Sequence, residues 1–210
     1  MNYRKFIVGG LAVNCYLVWS GRAAGVIDPG GPVAEIVNFM QKNGLQLQWI
    51  VNTHGHADHI MGNGALQAKY PVPLLIHAAD RGMLTDPQAN LSAFLGAPIS
   101  SPDAADILQE GQRLWLENEF LTVIETPGHT PGGISLRGTV SGQPDLLFSG
   151  DALFRESIGR TDLPGGNTAI LLESIRERLF RLAPETLILP GHGESTTIGH
   201  ELRNNPFMNE

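Results

Sequence analysis

The chain has 210 residues, 42% of them hydrophobic and 17% charged, with a formal net charge of −7. That balance suits one soluble globular domain spanning 1–210 with a sizeable core, and it offers no basic stripe to a nucleic acid. A single cysteine, Cys15, excludes an internal disulfide and a cysteine-rich zinc site; in the apolar run from Cys15 to Trp19 it reads as a small buried hydrophobe.

Arg4 and Lys5 precede an uncharged stretch, Phe6 to Gly21, which mimics a secretion signal. Gly9, Gly10 and Asn14 interrupt it, it is short for a membrane span, and no small-residue cleavage pattern follows. Two strands around a Gly-Gly turn explain it better, so a cytoplasmic protein without a membrane partner is expected. Ala23–Ile27 is a further strand, ending in the turn Asp28-Pro29-Gly30-Gly31. A helix starts near Pro32, with Val33, Ile36, Val37 and Met40 on one face, and stops at Gly44. A strand over Gln48–Val51 feeds the run Thr53-His54-Gly55-His56-Ala57-Asp58-His59, and a helix follows to about Lys69. Val72–Ile76 is a strand framed by prolines. Residues 85–105 read as a long irregular connection with short helical turns of its own.

Strands are expected near Arg113–Leu116, Phe120–Glu125, Ile134–Arg137 and Leu146–Ser149. Asn167 caps a helix whose Ile170, Leu171, Ser174, Ile175, Leu179 and Leu182 line one side. Thr186–Leu189 is the last strand. Several apolar strands thus run into a metal-type residue: Val51 into His54, Ile124 into His129, Phe148 into Asp151, Leu189 into His192. Strand ends gathered on one rim would bring these groups together, and the mixture of elements predicts an α/β sandwich.

His54, His56, Asp58 and His59 fall within six residues. In an extended loop His54 and His56 point the same way, while Asp58 and His59 come from the turn into the next helix. One loop can therefore offer two groups to one cation and two to another. His129, Asp151 and His192 each sit beside glycine, as expected where backbone comes close to an ion or ligand. Imidazole with carboxylate suits zinc, iron or manganese. His77 and His200 lack such partners and read as structural or surface residues.

The run from Thr53 to His59 resembles the H-x-H-x-D-H motif of the metallo-β-lactamase superfamily. Thr126–Gly132, Ser149-Gly150-Asp151 and Pro190–Gly193 match in order, and the similarity reaches from Asp28 to Asn205-Pro206-Phe207. The resemblance implies a four-layer αβ/βα sandwich with the metal site at its edge. It also implies two divalent cations per chain, zinc first, with iron or manganese as alternatives. His54, His56 and His129 would hold one, Asp58, His59 and His192 the other, and Asp151 would bridge. Asp28 would orient a ligating histidine, or serve only as a turn residue.

Within the superfamily the chain is most similar to the glyoxalase II branch of hydroxyacylglutathione hydrolases and related small bacterial thioesterases, through Gly150–Phe154 and Ser157–Asp162. Aspartate at 151 favours that branch over true β-lactamases, whose pattern often has cysteine there. The implied reaction is hydrolysis of a small-molecule thioester, such as S-lactoylglutathione, by a metal-bridging hydroxide, with Asp58 as the catalytic residue that orients it or takes its proton. Arg160 would pair with a substrate carboxylate, or with Asp162. Arg160-Thr161-Asp162 replaces the branch's Lys-Phe-Tyr segment, and the branch's C-terminal helical region is missing, so a weaker grip on glutathione is expected. The rival reading is an iron persulfide dioxygenase of the same fold, using positions matching His54, His129 and Asp151. A non-catalytic metal-binding partner protein is a third. Oligomeric state is not readable.

Overall fold

The computed structural model describes residues 1–139 and 142–208, leaving aside the side chain of Leu95. Chain order is β1 (Asn2–Val8), β2 (Val13–Ser20), β3 (Ala23–Ile27), α1 (Ala34–Lys42), β4 (Gln46–Val51), α2 (Ala57–Ile60), α3 (Asn63–Lys69) and β5 (Leu74–His77). Two 3₁₀ segments, Ala78–Leu84 and Ser92–Leu95, precede β6 (Asp106–Leu108). The second half runs β7 (Arg113–Leu116), β8 (Glu119–Glu125), β9 (Ile134–Gly138), β10 (Leu146–Gly150), β11 (Leu153–Phe154), β12 (Ser157–Ile158), α4 (Thr168–Ser174), β13 (Leu187–Pro190), β14 (Thr196–Thr197) and α5 (Ile198–Asn204).

Two six-stranded sheets carry the fold, ordered β1-β2-β3-β4-β5-β6 and β14-β13-β10-β9-β8-β7. Each mixes an antiparallel meander with parallel pairing: β3–β4–β5–β6 in the first, β10–β13 in the second. Three buried clusters separate four layers. Cys15, Leu17, Val26 and Ile50 of the first sheet pack with Ile36, Met40 and Leu66 of the outer helices. Tyr16, Val18, Trp49 and Val51 face Leu121, Val123, Leu136 and Phe148 between the sheets. Leu147 and Ile188 pack with Leu171, Ile175, Leu179 and Ile198 on the far side. Both sheets are covered on both faces, which is why Cys15 to Trp19 of β2 and Leu146 to Phe148 of β10 read as apolar runs rather than alternating ones. The architecture is the αβ/βα sandwich expected.

In β4 the register shifts so that Leu47 pairs with Ala24 and Trp49 with Gly25. Gln48 is the extra residue, and this bulge sends Leu47 to the outer cluster and Trp49 between the sheets. The indole lies against Gly25, where a Cβ would collide with its ring.

Several elements differ from expectation. The helix after His59 is broken into α2 and α3. The fourth strand of the first sheet starts at Gln46, and β5 lies at Leu74–His77 because Pro73 cannot donate to the ladder. Asn167 does cap α4, its side chain accepting from Ile170 N, but the helix continues as a π-turn over Ile175–Leu179. Ile170 is exposed rather than buried; it neighbours the inward Leu171 and so points about 100° away from it. The short β6, β11, β12 and β14 carry too few residues for a period to show. Among the described residues no helix is long and apolar enough to cross a membrane.

Candidate metal centre

The loops that follow β3, β4, β8, β10 and β13 meet at one edge of the sandwich. They bring His54, His56, His59, His129, Asp58, Asp151 and His192 into one cluster. Three groups have mutually close ligand atoms, all within 4.8 Å: His54, His56 and His129; Asp58, His59 and His192; and His54, His59 and Asp151. His56 Nδ1 and His129 Nε2 are 3.0 Å apart, and His59 Nε2 and His192 Nε2 3.3 Å. Asp151 stands between the outer groups, Oδ1 3.5 Å from His59 Nε2 and Oδ2 3.7 Å from His129 Nε2 and 3.6 Å from His192 Nε2. Asp58 Oδ2 lies 3.3 Å from His192 Nε2.

The outer nitrogens of four of the five histidines face a partner. His129 Nδ1 donates to the Arg160 carbonyl at 2.7 Å and His192 Nδ1 to the Leu11 carbonyl at 3.1 Å. His54 Nδ1 is 3.2 Å from Thr53 Oγ1. Asp28 accepts from Thr53 N and Oγ1, both at 2.7 Å, and its Oδ2 lies 3.0 Å from His59 Nδ1. Anchoring one nitrogen of a ring fixes its tautomer and aims the other inward.

Several buried polar atoms of the cluster lack a matched partner. His54 Nε2, His56 Nε2 and Asp151 Oδ1 are buried without a hydrogen-bond partner, and buried polar atoms are rarely left so. Gly191 leaves room beside them: a Cβ there would collide with Asp151 Oδ1 and sit 2.8 Å from His59 Cε1. Facing imidazole nitrogens, an orphaned carboxylate oxygen and open space fit bound divalent cations.

The protein's own charges divide the histidines. Burial opposes an imidazolium at His59, yet Asp151, Asp28 and Asp58 outweigh it and carry the pKa to about 10. His192 is raised by its hydrogen bond to Asp58. Burial, then repulsion from His129 and His59, takes His56 down to about 3. Burial and the surrounding histidines hold His54 well below its ordinary value. Burial pushes the Asp58 carboxyl up, but His59 and His192 draw it well below the usual carboxylate range. The acidic side of the cluster thus carries protons that a cation would displace.

Arg160 reaches the cavity at this edge, but its guanidinium is exposed and grips Asp162 through Nε at 2.8 Å and Nη2 at 2.7 Å. Its backbone, not its side chain, touches the cluster. His77 and His200 lie elsewhere, on Glu125 at 3.4 Å and Glu156 at 2.9 Å.

Two supports escaped the sequence reading. Asp80 is fully buried and accepts from Gly55 N at 3.0 Å, Thr130 Oγ1 at 2.7 Å and Gly132 N at 2.7 Å, tying the His54 loop to the His129 loop. Burial raises its pKa against those three donors. Asn14 donates to Pro190 O and Gly193 O, each at 2.9 Å, and Tyr16 Oη to Pro190 O at 2.8 Å, stapling the loop of His192 to β2. The signal for Asn14 was in view as the polar break in an apolar strand; Asp80 gave only a carboxylate shortly after a buried strand.

A family model described as the metallo-beta-lactamase superfamily matches residues 8–192. The chain is 36% identical over 210 residues to the probable metallo-hydrolase YqgX of Bacillus subtilis, covering 100% of this chain and 98% of that one. It is 34% identical over 212 residues to the hydroxyacylglutathione hydrolase GloC of Haemophilus influenzae, covering 100% and 99%. Among solved structures, the BLEG-1 B3 metallo-beta-lactamase superimposes with a TM-score of 0.93 at 34% identity, covering 100% of both chains. TTHA1623 in a di-iron-bound form gives 0.86 at 36% identity, covering 97% of this chain and 99% of that one. With the sandwich, the strand-end cluster and a family match across most of its length, the chain belongs to the metallo-beta-lactamase superfamily.

Proposed function

We propose that the protein is a metal-dependent hydrolase acting on thioesters, with two divalent cations held by the cluster. The observation that carries this reading is the pair of three-residue groups, His54-His56-His129 and Asp58-His59-His192, with the Asp151 carboxylate between them. Zinc suits the imidazole-rich donor set, and the di-iron form of TTHA1623 makes iron the alternative. The hydroxyacylglutathione hydrolase name of the Haemophilus relative supports a thioester substrate.

When bound, the cations supply a water whose pKa falls from about 15.7 to about 7, and a Lewis acid for the carbonyl. The chain's own residues do the rest. His54, His59, His129 and His192 present their inner nitrogens because Thr53, Asp28, Arg160 O and Leu11 O hold the outer ones, while His56 turns its Nδ1 toward His129 Nε2. Asp151 fixes the spacing of the two groups. Asp58 lines the cavity beside His192, where its carboxylate accepts a hydrogen bond from the attacking water and so orients it. Among the described residues no Ser–His or Cys–His pair lies in the cavity lining, and Cys15 is buried with its thiol pKa raised by burial, so the lining offers no hydroxyl or thiol nucleophile for a covalent acyl-enzyme.

The test is thioester hydrolysis by metal-loaded protein, with S-lactoylglutathione and simple acyl thioesters, before and after complete chelation, alongside metal counting. Chelator-sensitive hydrolysis with two metals per chain is expected. Oxygen uptake on glutathione persulfide with one iron per chain would replace this reading with a dioxygenase. Faster turnover of a β-lactam than of any thioester would move the chain toward the BLEG-1 activity instead.

A further inference from the structure

The cluster opens into a cavity of about 680 Å³, and its walls bear on what the hydrolase reading above leaves open, the substrate. Outside the His/Asp cluster, the lining is largely Leu11, Leu91, Phe94, Leu163 and Pro164. Two polar side chains join them, and both have hydrogen-bond partners. Asn90 spends its amide on Met83 O at 3.0 Å and Ile99 O at 2.9 Å, and its carbonyl on Ser92 N at 3.0 Å. Arg160 is held in a two-bond fork by Asp162. Among the described residues Arg160 is thus the one cationic side chain lining the cavity outside the cluster, and it sits at the exposed rim, shared with Asp162. A charged thiol peptide such as glutathione, with two carboxylates, finds on those walls only the Arg160 guanidinium, already shared with Asp162.

The apolar walls are built into the site rather than draped over it. Each is tied through its backbone to the cluster's loops. Leu11 O accepts from His192 Nδ1, Arg160 O at the start of the Leu163-Pro164 segment accepts from His129 Nδ1, and Asn90 O accepts from Ala57 N at 2.9 Å. Leu91 has φ +71, a conformation costly for a bulky residue, and Gly96 has φ +77. These bracket the 3₁₀ turn that carries Phe94. Phe94 is 73% exposed and Leu11 55%, so two large apolar side chains flank the mouth with their surface uncovered.

We propose that this cavity selects acyl thioesters whose acyl group is apolar, an alkyl or aryl chain lying between Phe94, Leu91 and Leu11, in preference to hydrophilic acyl groups on glutathione. Burial of one methylene contributes about fourfold in affinity. This specificity rests on the hydrolase reading, and the experiment separates the two. Turnover of S-acetyl-, S-butanoyl- and S-hexanoyl-N-acetylcysteamine and of S-lactoylglutathione is compared on metal-loaded protein. In parallel, calorimetry follows binding of S-alkyl-N-acetylcysteamine thioethers of matching length and of S-hexylglutathione, none of which can be hydrolysed at an acyl bond.

Expected are a rise of about fourfold per methylene in both kcat/KM and thioether affinity, and weaker binding of S-hexylglutathione than of its cysteamine counterpart. Phe94→Ala and Leu11→Ala each flatten that slope, chiefly through KM. Thioether affinity that climbs with chain length in a protein that hydrolyses no thioester supports the apolar pocket and overturns the hydrolase reading. Hydrolysis with a flat or falling slope, or with S-lactoylglutathione as the best substrate, overturns the apolar pocket and leaves the hydrolase standing.

Discussion

Asp80 and Thr130 meet at 2.7 Å in the interior, carboxylate to hydroxyl, although fifty positions separate them in the chain. The same carboxylate takes the backbone N–H groups of Gly55 and Gly132, so one buried side chain sets the distance between the loop of His54 and His56 and the loop of His129. Asp80→Ala strands those three donors. A loss of about 3 kcal/mol in urea unfolding is expected, together with about 10- to 100-fold weaker metal binding by competition with a chelator. Asp80→Asn keeps the volume and one acceptor, and should recover part of the stability but less of the metal affinity. Unchanged metal affinity in both variants would reduce Asp80 to a packing residue.

Asn14 acts on the other half of the cluster. Its amide holds Pro190 O and Gly193 O around His192, whereas His54, His56 and His129 hang on other loops. Asn14→Ala should therefore weaken one metal of the pair by about 10- to 100-fold and spare the other. Stepwise titration with elemental analysis reads this as a fall from two metals toward one. Equal weakening of both would show that the groups do not load independently.

The stability of chelator-stripped protein should depend on pH in two opposed ways. His59 is raised from 6.5 to about 10 in the folded chain, so its contribution is complete below 6.5 and is lost as pH rises through about 10. His192 shifts in the same direction. His56 is lowered from 6.5 to about 3, so its contribution is present above 6.5 and falls away as pH drops toward about 3; His54 shifts the same way. Urea midpoints should peak near neutrality and decline on both sides. Metal loading should release protons near neutral pH and tighten as pH rises, which a pH-stat titration measures.

Metal removal should separate folding from catalysis. The apolar clusters on both faces of both sheets do not involve the cluster residues, so chelated protein should keep its far-ultraviolet circular dichroism. Hydrolysis should vanish, and the unfolding free energy should drop by about 2.7 kcal/mol per site, about 5.4 kcal/mol for two, relative to protein with free metal at a hundred times its Kd. Wholesale unfolding on chelation would contradict this.

Gly25→Ala tests the fold away from the site. The added methyl meets the Trp49 ring between the sheets, and overpacking there should cost about 1–3 kcal/mol without altering metal stoichiometry.

The sequence by itself determined most of the strands and the identity of the cluster. Apolar runs such as Cys15–Trp19 and Leu146–Phe148 mark strands buried on both faces, because burial acts on every residue of the run. The spacing of His54, His56, Asp58 and His59 is a local matter of one loop, and it survives folding: the first two join His129 and the last two join His192. The helix expected to follow to about Lys69 does end there, but it is interrupted after Ile60, where Gly62 passes against Pro29 and Gly31.

Tertiary structure decided what no local pattern could hold. Asp80 bonds to groups 25 and 50 positions away, and Asn14 to groups 176 and 179 away; a hydrogen bond between distant segments leaves no period in either. Arg160 could be read toward a substrate or toward Asp162, and only the folded loop puts its guanidinium on Asp162 and its carbonyl on His129. The apolar mouth is likewise invisible in sequence, because Leu11, Phe94 and Leu163 come from three separate connections, and their common surface exists only once the strand ends have converged.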